Sequence, residues 1–99
     1  MSTPIELIIG KNYKHSDLIM DLDNFCYSRV EGKLLEPGCF NVVGGMVNIY
    51  PVNQENQFSV DYFGDNIESI TKKDATSNRR IDKVEIHQNY ISLEDGSKI

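Results

Sequence analysis

Apolar and polar positions change rhythm along this chain, and each rhythm predicts an element. "IELII" (5–9) is a short apolar β-branched run stopped by Gly10, the signature of a buried strand. From residue 16 the spacing becomes helical. Leu18, Leu22, Phe25 and Cys26 recur on one side, with Ile19 beside them, and Asp21, Asp23 and Asn24 fall largely off that stripe. Ser16 suits an N-cap and Asp17 suits the positive end of a helix dipole, so an amphipathic helix is predicted over 16–28. "VEGKLLEPG" (30–38) reads as a loop closed by a Pro37-Gly38 turn.

After Gly38 the period drops to two. Phe40 and Val42 share one face, and Asn41 and Val43 share the other; beyond Gly44-Gly45, Val47, Ile49 and Pro51 oppose Asn48 and Tyr50. Two readings fit the glycine pair: a two-residue hairpin turn, or a bend within one long strand. "QFSVDYF" (57–63) alternates Phe58, Val60 and Tyr62 against Ser59, Asp61 and Phe63. A turn at Gly64-Asp65-Asn66 leads into a strand over 67–73, with Ile67 and Ser69 set against Glu68 and Ile70. Residues 74–80 read as a loop, 81–91 as a further strand, and 92–99 as a weakly patterned tail or linker to a following domain. The predicted fold is α+β: a curved, mainly antiparallel sheet of about five strands with one amphipathic helix packed on a face, in one domain over 1–91.

Composition narrows the function. Ninety-nine residues with 39% hydrophobic and 25% charged side chains make one ordinary globular domain. Fifteen acidic residues against ten basic ones give a net charge of −5, a field that opposes non-specific binding to nucleic acid or anionic lipid. No apolar run is long enough to span a membrane, and the N-terminus lacks a basic region ahead of its apolar stretch. Two cysteines, Cys26 and Cys39, make no CxxC pair and read as reduced residues of a cytoplasmic protein. His15 and His87 are the two histidines and fall in no metal-ligand spacing, so neither a metal nor a cofactor is expected. No catalytic constellation emerges. A thiol enzyme would need Cys26 or Cys39 beside His87, and nothing in the order of residues brings them together.

Two features point toward binding. Segment 72–83 carries Lys72, Lys73, Arg79, Arg80 and Lys83 against Asp74 and Asp82, a local +3 within the −5 chain. It suits a phosphate or an acidic partner, or else a solvated hairpin rim whose lysines discourage edge pairing. Phe63 lies on the face opposite Phe58, Val60 and Tyr62, so it belongs either to a binding patch or to a small second core beneath the 30–38 loop.

The order of motifs then carries a resemblance. "EPGCFNVVGGMVNIYP" (36–51), "FSVDYFGDNIESI" (58–70) and "DATSNRR" (74–80) together resemble the UvrA-interaction domain shared by the excision-repair helicase UvrB and the transcription-repair coupling factor Mfd. The family pattern is E-x-G-x-F-x-V-R-G-G-[IV]-x-D-[IL]-[FY]-P followed by R-[IVL]-[ED]-F-F-[GD]-D-E-[IV]-[ED]-S-[IL]. Tyr27 and Arg29 match the end of the family helix, and the resemblance covers residues 5–88. The Glu36-Pro37-Gly38 and Gly44-Gly45 wording leans toward the coupling factor. The resemblance implies docking onto a UvrA-like repair ATPase, with DNA engaged only indirectly and no catalysis by the domain itself. It implies partner contacts at Phe63, Val43 and Ser59, with Asn41, Asp61 and Arg29 around them, and structural roles for Gly44, Gly45 and Pro51. Two departures stand out: Val43 and Ser59 occupy positions held by arginine in the family, and Asn48 replaces an aspartate. Losing a buried interfacial charge costs about 2–5 kcal/mol, so docking is expected to weaken unless other contacts offset the loss. The rival expectation is nucleic-acid contact through Lys72, Lys73, Arg79 and Arg80.

Overall fold

A computed structural model describes residues 3–89. In chain order the elements are β1 (Ile5–Ile8), α1 (His15–Asn24), β2 (Ser28–Arg29), β3 (Cys39–Val43), β4 (Met46–Tyr50), β5 (Gln57–Phe63), β6 (Asn66–Lys73), β7 (Asn78–Ile81) and β8 (Lys83–Ile86). The α+β class holds. The strand count rises from about five to eight among the described residues, arranged as a six-stranded sheet ordered β2-β3-β4-β5-β6-β7 and a two-stranded sheet β1-β8. All pairings are antiparallel except β2 with β3.

Two of the added strands, β2 and β7, lie in stretches that carry little or no alternation signal. β2 is two residues long and exposed, and it exists because its backbone pairs with Cys39 and Phe40. β7 takes the last three residues of the expected 74–80 loop together with Ile81, and is held by β6 through Ile70↔Ile81 and Thr71↔Arg80. The predicted 81–91 strand is interrupted at Asp82. Ile81 ends β7, and β8 then crosses to β1, setting Ile86 against Ile5 and Val84 against Leu7. Residues 90–99, which include the predicted tail, lie outside the described residues.

Gly44-Gly45 is a hairpin turn. Val43 pairs with Met46, so the two glycines alone connect β3 to β4. Gly44 has φ +61, the left-handed first position of a tight hairpin turn that glycine adopts without steric penalty. Gly64-Asp65 repeats the device between β5 and β6, with Gly64 at φ +63 and Phe63 paired to Asn66.

The inner face of the large sheet carries Phe40, Ile49 and Phe58 in one row and Val42, Val47 and Val60 in the next. Leu18 and Leu22 of α1, with Ile5, Leu7, Val84 and Ile86 of the small sheet, close the same core. β6 departs from simple alternation. A register shift opposite Asp61 and Tyr62 accommodates one extra residue, so Ile67 and Ile70 both reach the core while Ser69 faces outward. The expected pairing of Ile67 with Ser69 on one face is thereby corrected, because a bulge resets the period of two.

The helix is shorter than the predicted 16–28. It starts after Lys14, with no side-chain cap, so Ser16 is not the N-cap. It stops at Asn24 because Cys26 turns left-handed at φ +67. Cys26 N–H then bonds Asp23 O and Tyr27 N–H bonds Leu22 O, the paired closure typical of a left-handed helix end. Tyr27, 3% exposed, ties three segments together. Its hydroxyl donates to His87 O at 2.8 Å and accepts from Val52 N–H at 3.1 Å.

Buried tyrosines give the fold an alkaline limit. Burial, with Asp17 nearby, pushes Tyr62 up to about 12 from the usual 10.0. Burial and a hydrogen bond from its hydroxyl to Asp21 raise Tyr13, and burial raises Tyr27 against the opposing bond from Val52 N–H. A raised folded pKa means that the unfolded chain loses these protons first. The stability they contribute is therefore whole below pH 10 and is lost as pH climbs toward about 12. Urea midpoints followed by circular dichroism should decline as pH climbs from 10 toward about 12.

Candidate partner-binding surface

Alternation places Asn41 and Val43 of β3, Met46 and Asn48 of β4, and Ser59, Asp61 and Phe63 of β5 on the outer face of the large sheet. Half of this face is covered. Ser59 hydroxyl donates to Asn48 Oδ1 at 2.5 Å, Asn48 Nδ2 donates to Asn41 Oδ1 at 2.8 Å, and Asn41 Nδ2 donates to Gly32 O at 2.6 Å. Gln57 Nε2 adds a bond to Leu34 O at 2.8 Å. This ladder crosses three strands and pins the 30–35 segment onto the sheet, each bond contributing about 1 kcal/mol. Leu34 is 6% exposed beneath it, with Ser59 at 3% and Asn48 at 9%. The loop thus covers a mainly polar ladder, and Phe63, 75% exposed, does not belong to a second core beneath it.

The other half is bare. Val43 is 57% and Phe63 75% exposed. β3 and β5 flank β4 and run the same way, so both residues fall at one end of the sheet, each just before its hairpin turn. Two strand spacings, about 10 Å, and a two-residue stagger along the strands, about 7 Å, separate them. Removing an exposed phenylalanine from water is worth up to about 3 kcal/mol, so this tip offers a favourable apolar contact. Asp61, half-buried beside the tip, accepts a bond from the Ser69 hydroxyl at 3.3 Å.

The other anticipated residues divide. Val43 and Ser59 share the outer face but not adjacent strands, since β4 lies between them, and burial withholds Ser59 from any partner. Asn41 is engaged in the ladder. Arg29 stands exposed on β2 at the sheet edge. Pro51 is buried where β4 ends. The basic segment does not form one patch. In β6 and β7, Lys72 lies opposite Arg79 on one face, and Lys73 and Arg80 take the other. Lys83 reaches Glu6 at 3.5 Å. Lys33 and the sheet-covering role of residues 30–35 were missed by sequence reasoning, where the Leu34-Leu35 pair in a polar stretch was the available signal.

Cys26 and Cys39 are not joined in a disulfide. Burial and then Glu36 push the Cys39 thiol up, which disfavours the thiolate that a nucleophile requires. No cluster of metal-ligating side chains occurs among the described residues, and no helix among them is long and apolar enough to cross a membrane.

One face of the large sheet thus lies in the core, and the other ends at exposed Val43 and Phe63. The family described as the UvrB interaction domain matches residues 5–90. The chain belongs to this family. Among curated relatives, UvrABC system protein B of Thermotoga neapolitana is 35% identical over 86 residues, covering 84% of this chain and 13% of the relative. The Thermotoga maritima protein of the same name is 32% identical over 99 residues, covering 95% of this chain and 15% of the relative. The transcription-repair-coupling factor of Escherichia coli is 28% identical over 76 residues, covering 77% of this chain and 6% of the relative. The domain is thus shared by both kinds of repair factor, and this chain spans a small fraction of the length of either.

Exposure predicts how the two departures respond to arginine. Val43→Arg places its charge in solvent and should leave stability within about 0.5 kcal/mol. Ser59→Arg forces a cation under the 30–35 segment and breaks the ladder, so it should cost more than about 2 kcal/mol. Urea unfolding of the two single variants checks both.

Proposed function

We propose that the chain is a docking domain of a nucleotide-excision or transcription-coupled repair factor, and that its outer sheet face engages a UvrA-like repair ATPase in the cytoplasm. The observation that carries this reading is the pairing of exposed Phe63 and Val43 at one end of that face. The domain contributes binding and no catalysis. ATP-driven work belongs to other parts of the factors that carry it. Val43 makes the contact more apolar than the family's arginine would, and Ser59 supports the face from beneath. Docking is therefore weaker than in relatives with both arginines and less sensitive to salt.

Calorimetric titration against the UvrA-type ATPase of the same organism tests this. Phe63→Ala should weaken binding by at least about 2 kcal/mol, roughly 30-fold, and Arg79→Ala with Arg80→Ala should leave it unchanged. Unchanged affinity in Phe63→Ala would overturn the reading. Strong, salt-steep DNA binding lost with the two arginines would favour nucleic-acid contact instead.

A further inference from the structure

A groove of about 760 Å³ runs between the 30–35 segment and the outer sheet face, and its walls draw on β2, β3, β4, β5 and β6. Arg29, Lys33 and Lys73 line it against a single acid, Glu31. None of the three cations forms an ion pair among the described residues. Three cations without an ion pair among the described residues thus line one groove in a chain of net charge −5. The apolar lining includes Val43 and Leu35, which are 57% and 84% exposed.

The spread of the charges selects the ligand. β2 and β6 are four strand spacings apart, about 19 Å, which is too far for one small anion to bridge. An extended peptide covers that span in about six residues. A single-stranded nucleic acid has a comparable charge spacing, but it is held by aromatic rings against its bases, and no aromatic residue is among those lining the groove. Aliphatic walls suit an aliphatic side chain. We propose that the groove takes an extended acidic segment of the docking partner, about six residues long, with an aliphatic side chain set against Leu35 and Val43. The proposal rests on the docking reading above, because Val43 belongs to both the groove and the exposed tip.

The test is an NMR titration of the isotopically labelled 99-residue chain with three probes: a hexapeptide alternating Glu and Leu, its Lys–Leu counterpart, and a six-nucleotide oligothymidylate. The acidic peptide should shift the amides of Arg29, Lys33, Asn48 and Lys73 saturably. Its affinity should fall about tenfold or more between about 50 and 500 mM salt, and by as much in the Lys33→Glu, Lys73→Glu double variant. The Lys–Leu peptide should shift none of these amides. Equal binding of both peptides, shifts centred on Arg79 and Arg80, stronger groove shifts from the oligonucleotide, or no saturation by about 5 mM would each overturn the proposal. Phe63→Ala against the ATPase is read separately. If it abolishes docking while the acidic peptide stays silent, the groove assignment falls and the docking reading stands. If the peptide fills the groove while the ATPase ignores Phe63, the docking reading falls.

Discussion

Everything on this surface depends on one register. The two-residue turns at Gly44-Gly45 and Gly64-Asp65 leave no slack between β3 and β4 or between β5 and β6. With the strands so locked, Phe40, Ile49 and Phe58 meet in the core, and Asn41, Asn48 and Ser59 meet on the opposite face. A slip of one residue would bury the polar row and expose the aromatic one, so the inner hydrophobic rows and the outer ladder enforce the same alignment. Phe63 stands at the open end because the same alternation, followed to the last residue of β5, carries it outward.

The outer face divides its labour. The asparagine and serine ladder is satisfied internally and holds the 30–35 segment, so those side chains have little left to offer a partner. What the ladder leaves uncovered is the apolar tip at Val43 and Phe63 and the cations that line the groove. At position 59 a small hydroxyl residue is compatible with the covering segment lying close against the sheet. A long cationic side chain at that position would need that space.

Charge along the chain and charge in space differ here for a simple reason. Lys72 and Lys73 are neighbours in sequence and opposites in a strand. The basic 72–83 segment is therefore divided between the two faces of the sheet, and Lys73 comes to line the same groove as Arg29 and Lys33.

Local pattern determined a good deal: the α+β class, the faces of β3, β4 and β5, the outward position of Phe63, and the family. Each of these follows from periodicity or from motifs contiguous in the chain. The tertiary structure decided what depends on distant partners. β2 and β7 are strands only because β3 and β6 offer them hydrogen bonds, and β8 leaves β7 because β1 supplies a buried apolar partner. The helix ends early because Leu22 and Tyr27 both join the core and the chain turns left-handed between them. Ile67 and Ile70, three residues apart, fit a strand of period two only through a bulge against β5. Ser59 lost its place as a contact once a segment far from it in the sequence folded over it, a burial that a period-two pattern cannot encode because alternation assigns a side chain to a face and says nothing of what covers that face.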